Sequence, residues 1–270
     1  MLSNFKISTR LYLGFGSILI LALAMLIPSA LSKIADLGRE AEKRELVGLF
    51  ESAKAELTSE GRLAESLSTL VANLEPAQRL FAAGDRDGLA EIMVPVFKQM
   101  KSDFAVRQFQ FHTPPATSFL RVHKPAKFGD DLSSFRSTVL ATNRDKKRVH
   151  GLEKGVAGLG IRGLSPVFYQ GKHVGSVEFG MSFGQPFFEQ FKEKYGVDIA
   201  LYVERDGTFK VFGSTRNAAL LQDAQLATAI KGEHVSMQME EGDTPLAVYA
   251  AQITDFSGKP VGVLEIAMDR

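Results

Sequence analysis

Residues Val149–Phe191 read VHGLEKGVAGLGIRGLSPVFYQGKHVGSVEFGMSFGQPFFEQF. Through most of this stretch large apolar residues alternate with polar or small ones, the period-two pattern of strands with two unlike faces. Three strands are expected, Arg148–Leu152, Leu159–Tyr169 and His173–Phe183, with the turn Gln170-Gly171-Lys172 joining the last two. On the third, Ser176, Glu178, Gly180 and Ser182 share a face opposite Val177, Phe179, Met181 and Phe183. A short helix, Pro186–Tyr195, follows and is stopped by Gly196.

Upstream, Phe104–His112 and Thr117–His123 carry the same alternation, and Thr113-Pro114-Pro115-Ala116 between them cannot sit inside a central strand. Gly129-Asp130-Asp131 precedes a helix expected from Leu132 to Arg144. Downstream the order recurs. Val197–Glu204 and Thr208–Gly213 flank an Asp206-Gly207 turn, helix is expected over Asn217–Lys231, and three strands follow at His234–Glu240, Pro245–Ile253 and Pro260–Met268. Both modules read strand, strand, helix, strand, strand, strand. That order predicts an α+β fold of two antiparallel sheets with helices on one face, the PAS-like arrangement.

Toward the N-terminus the period becomes helical. From Ser32 to Leu74 there is no proline, and Ile34, Leu37, Ala41, Phe50, Ala53, Leu57, Ala64, Leu67, Val71 and Leu74 trace one stripe. The charged run Arg39–Glu45 is read as a solvated helix face. Pro76 opens a further helix, Gly84–Gly88 is a turn, and another helix is expected over Leu89–Lys101. Before all this lies LYLGFGSILILALAMLIPSAL, Leu11–Leu31, without a charge. About 21 residues at 1.5 Å of rise cross the ~30 Å core of a bilayer. Lys6 and Arg10 precede it with no acid, so the positive-inside rule keeps the N-terminus cytoplasmic and the body outside. A cleaved signal peptide is the rival, but Pro28-Ser29-Ala30 puts proline where a small residue belongs. The chain divides into a cytoplasmic 1–10, a transmembrane 11–31, a juxtamembrane helical region 32–103, a first module 104–195 and a second module 196–270.

Composition narrows the chemistry. Hydrophobic residues make up 45%, the net charge is +1, and cysteine and tryptophan are absent. Thiol catalysis, disulfides, cysteine-held metals and iron–sulfur clusters are excluded, and there is no basic excess of the kind that binds nucleic acid. His123, His150 and His173 lack metal-ligand spacing, so neither metal nor cofactor is expected, and His112 and His150 are read as structural. The glycines from Gly151 to Gly163 contain no P-loop pattern and let backbones approach, whether of a ligand or of a neighbouring strand. No serine–histidine–acid or paired-carboxylate motif argues for an enzyme. Arg121, His123, Lys127, Arg148, Arg162 and Tyr169 are the candidates to surround a small anion, since a guanidinium grips a carboxylate with two parallel hydrogen bonds. Glu178 is a further ligand-binding candidate, the plainer reading being an internal pair with Arg121.

With FQFHTPPATSFLRVHKPAKFGDDLSSFR (Phe109–Arg136) and the opening stretch Val149–Phe191, the chain resembles the double Cache sensor domains, Cache 3-like, of methyl-accepting chemotaxis proteins and related bacterial transducers. FKISTRLYLGFGSILIL is similar to the first span of many chemoreceptors. The resemblance implies a periplasmic sensor on the inner membrane, binding a small-molecule ligand and relaying a helix shift across the bilayer, with a homodimer through Ser32–Leu74. An alternative partner is a periplasmic binding protein, which an exposed apolar patch without an internal cavity would favour. Such receptors continue into a second span, a HAMP relay and a cytoplasmic coiled coil, which do not follow Arg270 here. The sequence is therefore read as a piece of a longer receptor or as an anchored sensor whose output lies elsewhere.

Overall fold

A computed structural model describes residues 6–104, 106–155, 158–205 and 207–270. Asp206 of the expected Asp206-Gly207 turn, Ala105 of the first expected strand and residues 1–5 of the expected cytoplasmic segment lie outside the described residues.

One helix, α1 (Ile7–Ala72), runs 66 residues from the apolar stretch into the body, about 100 Å at 1.5 Å per residue. Two short helices, α2 (Glu75–Ala82) and α3 (Arg86–Asp103), follow. Pro76 sits in the first turn of α2, and Asp85 caps α3 by accepting the Gly88 N–H at 2.9 Å, so α3 begins earlier than its apolar period suggests.

The first sheet holds β1 (Val106–Thr113), β2 (Thr117–Arg121), β3 (Val149–Gly155), β4 (Gly158–Tyr169) and β5 (Lys172–Met181), with α4 (Ser137–Asp145) between β2 and β3. Helix α5 (Gln185–Tyr195) leads to the second sheet: β6 (Asp198–Arg205), β7 (Thr208–Ser214), α6 (Asp223–Ala229), β8 (Val235–Glu241), β9 (Thr244–Thr254) and β10 (Pro260–Asp269). Both sheets are antiparallel, ordered β2-β1-β5-β4-β3 and β7-β6-β10-β9-β8. The last strand of each module therefore lies at its sheet's centre.

Equal topology brings an internal repeat into view. Gly171–Met181, GKHVGSVEFGM, occupies β5 and the turn before it; Gly258–Met268, GKPVGVLEIAM, occupies the same place at β10. Glu178 and Glu265 thus stand at matching points of the two central strands, and Gly180 matches Ala267.

Helix α1 lies across one face of both sheets. Leu46 and Phe50 pack near β9, with the Phe50 ring 5.5 Å from that of Tyr249, while Ala64 and Ser68 pack on β4. The second module therefore sits nearer the apolar end of the helix. Ala53, Leu57, Ala64 and Val71 of the predicted stripe are buried against the chain's own sheets. Approach is closest at Gly163, where an added Cβ would lie 2.0 Å from the Glu65 backbone nitrogen. Only a residue without a side chain lets helix and strand meet there.

Two expected helices are shorter than predicted. In place of Leu132–Arg144 the helix starts at Ser137, because Asp131 Oδ1 accepts the N–H and hydroxyl of Ser133 at 2.9 and 2.6 Å and ties the chain into a turn. In place of Asn217–Lys231 only Asp223–Ala229 is helical. Residues 215–222 are strapped to the sheet by Thr215 and Arg216 on Asp198 and by buried Leu220 and Leu221, and Gln222 with Gln225 forms the capping box where α6 begins.

Candidate functional site

The face of the first sheet turned away from α1 is polar. Gln108, Gln110 and His112 on β1, Arg162 on β4 and Ser176 and Glu178 on β5 alternate with buried apolar residues, among them Phe109, Phe111 and Phe179, on the helix-covered side, where Phe81 of α2 meets the Phe111 ring. Over this face folds the 122–136 segment, held to β2 by Ser118 N–H to Asp130 O at 2.9 Å and Gly129 N–H to Ser118 O at 2.7 Å. Between segment and sheet lies a cavity of about 180 Å³ whose walls include Gln108, Gln110, Arg121, His123, Lys127, Asp130, Arg136 and Arg162.

Glu178 anchors the charge. Its side chain has no exposure, and its Oε2 accepts Arg136 Nη2 at 2.5 Å while its Oε1 lies 3.3 Å from Arg162 Nη1. Burial pushes this carboxyl up, but the two guanidiniums and their hydrogen bonds outweigh it and hold it down at about 2. Arg136 also donates Nε to Glu153 Oε2 at 2.8 Å, and Glu153 accepts the Thr138 N–H at 2.7 Å at the start of α4. His112 lies 3.6 Å from Glu178, and burial lowers it to about 3, so its ring is neutral.

Arg162 bonds Gln108 Oε1, but its buried Nε has no partner among the described residues. The Arg121–Glu178 pair read from the sequence does not form. Arg121 donates to Asp130 Oδ2 at 2.9 Å and to Lys127 O at 3.0 Å, because the folded-back segment supplies a nearer acid than the central strand. Lys127 is 59% exposed at the rim, 3.7 Å from Asp130. His123 is lowered by burial, with Nδ1 3.2 Å from the Phe109 carbonyl oxygen.

Of the residues singled out from sequence, Arg121, His123, Lys127 and Arg162 line this cavity, and Glu178 stands behind it holding Arg136 and Arg162. Arg148 and Tyr169 do not join them. Arg148, 60% exposed, shares the helix-facing side with His150, and both reach Glu65 of α1. Arg148 borders a separate open cleft with Lys146 and Lys147. Tyr169 is seven residues along β4 from Arg162, roughly 23 Å at 3.3 Å per residue. Sequence reasoning missed Arg136, Glu153, Asp130, Gln108 and Gln110. Arg136 carried one signal, a cation just ahead of a helix, where the macrodipole disfavours positive charge and a special partner is implied.

A family model described as the double sensory domain of two-component sensor kinases matches residues 39–270. No curated protein matches the chain. Among solved structures, the ligand-binding domain of the Campylobacter jejuni chemoreceptor Tlp3 with L-valine has a TM-score of 0.55 at 10% identity, over 88% of this chain and 95% of that one. The same sensory domain with isoleucine bound gives 0.55 at 12%, over 88% and 95%. The sensor domain of the Vibrio cholerae histidine kinase DctB gives 0.55 at 9%, over 86% and 99%. At such identities the likeness is one of fold.

Proposed function

The chain belongs to the double Cache 3 family of sensory domains, and on that premise we propose that its first module binds a small carboxylate-bearing molecule and passes the event to α1. The observation that carries this reading is the unpartnered buried Nε of Arg162 in the wall of a cavity that also presents Arg121 and Lys127. An unpaired buried donor beside fixed cations is a place where an anionic oxygen gains hydrogen bonds without reorganising the protein. Asp130 on the same wall offers an acceptor for an ammonium group, and the Tlp3 sensory domain is seen with L-valine and with isoleucine bound. The volume, about 180 Å³, is below the ~300–1,000 Å³ of drug-sized sites and suits a metabolite. The module binds without turnover, since none of the wall residues forms a nucleophile–base pair.

From Gly14 to Leu31 the large apolar side chains are exposed, which supports a membrane anchor with the body outside the cell. Closure of the 122–136 segment over a ligand would strain β5 and β4, whose other face rests on α1, and only a difference in affinity between two states drives such a shift. Leu63 and Leu70 of α1 and Ile92 and Val96 of α3 are exposed, which supports pairing of two copies along the helix. The division into cytoplasmic, membrane, helical and two sensory parts follows from the same reading.

Calorimetric titration of the chain in lipid nanodiscs with amino acids and with mono- and dicarboxylates tests the ligand. Binding that Arg162→Met abolishes is expected. No heat with any of them, from protein that melts cooperatively, ends the reading. Ultracentrifugation in detergent tests the pairing, and a monomer at all concentrations removes it.

A further inference from the structure

The second module buries a carboxyl group where the first buries Glu178. Glu265 is 1% exposed, on the β10 face covered by residues 215–222 and α6. The Tyr202 hydroxyl of β6 lies 3.3 Å from its Oε2, and the Leu221 backbone faces the same carboxyl. Among the described residues no cation lies within ion-pair distance. From β6 it is faced by Tyr202 and Asp198, and from the 215–222 segment by Arg216. Behind these stand Glu241 of β8 on Arg216 and Lys192 of α5 on Asp198. Strand β9 opposes it with Ala250, α6 covers that face with Leu226 and Ala229, and β10 itself adds Val263 and Ala267. The one arginine in reach is already divided between Asp198, at 2.9 Å, and Glu241, and its buried Nε has no partner.

A carboxylate moved from water into apolar surroundings without a counter-charge takes up a proton instead. We propose that Glu265 is a proton-binding site, a second input to this sensor that is independent of the ligand reading for the first module. Protonated, Glu265 sits quietly between Tyr202 and Leu221. Ionised, it competes with Asp198 and Glu241 for Arg216, and the 215–222 segment that these ion pairs strap down is loosened. Strand β10 continues to Arg270, whose Nε meets Glu42 of α1 at 3.1 Å, so the protonation state acts on the second module's grip on the long helix. Burial sets the scale, with desolvation raising Glu265 to about 7, within reach of ordinary changes in external pH.

The test uses the whole chain in nanodiscs. Infrared spectra at about pH 5 and about pH 9 should show a protonated-carboxyl band that disappears at the higher value in the wild type and is missing from Glu265→Gln. Across the same range the wild type should lose on the order of 5–10 °C of melting temperature, and Glu265→Gln should lose much less. Amide exchange in residues 215–222, corrected for intrinsic rates, should quicken with pH in the wild type alone. Tyr202→Phe removes a hydrogen bond that favours the ionised form, so its carboxyl band should persist to higher pH; this variant serves if the glutamine form does not fold. A wild-type spectrum without a carboxyl titrating in this window, or melting profiles of wild type and Glu265→Gln that run parallel, overturns the proposal.

Discussion

The two sheets place a glutamate at the same point of the same strand and surround it in opposite ways. Glu178 meets two guanidiniums, which hold it well below the usual carboxylate range; Glu265 meets a phenol and no cation within ion-pair distance among the described residues, and burial raises it. The neighbouring space differs to match. Beside Glu178 the covering segment brings Arg136 and Asp130 and leaves a cavity, whereas beside Glu265 it brings Leu220 and Leu221 and fills the space. Burial alone pushes both carboxyls upward, so the sign of the net shift is decided by whether a cation was built in. The repeated fold therefore does not repeat the cavity: beside Glu178 fixed charges leave room, and beside Glu265 apolar side chains are packed in.

The largest effect should come from taking away the cation that makes the first module different. Arg136→Met leaves Glu178 and Glu153 facing each other's charge in a buried site and should cost about 3–5 kcal/mol in urea unfolding. Arg216→Met should cost clearly less, since Asp198 keeps Lys192 and Glu241 is half exposed. An equal loss in the two variants would erase the contrast.

Next in size is the pH dependence, where the two glutamates should act with opposite sign. Glu178 is depressed from 4.5 to about 2, so its contribution is present above about pH 4.5 and is lost as the pH falls toward 2. Glu265 is raised from 4.5 to about 7, so its contribution is complete below about pH 4.5 and is lost as the pH climbs through 7. Each limb is worth on the order of 3 kcal/mol, and Glu178→Gln should flatten only the acid one in calorimetric scans.

Gly180→Ala turns one position of the first module into its counterpart in the second, Ala267. The new Cβ would stand 2.5 Å from Arg162 Nη1 and 3.1 Å from Gln108 Cβ, displacing the guanidinium. A loss of about 1–3 kcal/mol is expected, together with weakened binding of whichever ligand the calorimetry identifies. Retained affinity would place the anion away from Arg162. Smallest in stability is Arg121→Ala, within about 1 kcal/mol because Asp130 is partly solvated, although ligand affinity should fall at least tenfold. Unchanged affinity would remove Arg121 from the site.

Much of the fold is legible in the sequence because the sheets have two unlike faces and abrupt turns. At Gln170-Gly171 both residues have positive φ, 49° and 75°, as a two-residue hairpin of primed type requires. Helix starts were harder. Asp131 ties the nearby Ser133 N–H and hydroxyl into a turn, and Asp198 holds the Thr215 hydroxyl from 17 residues away; neither leaves a trace in an apolar period. Arg121, His123, Lys127 and Arg162 were recognisable as polar residues in or beside apolar strands. Arg136 was not, since it lies in a stretch that reads as amphipathic helix and its acids are 17 and 42 residues away. Arg148 misled because a list of cations ignores which side of a sheet each occupies, and Tyr169 because such a list ignores distance along a strand.

The unbroken run of α1 from Ile7 to Ala72 has a consequence for how two such modules can be heard. Both sheets bear on a single shaft: the second at Glu42 to Phe50, the first at Gly61 to Ala72. With no hinge between these bearings among the described residues, displacements at the two would fall on the same rod and would add or cancel along it.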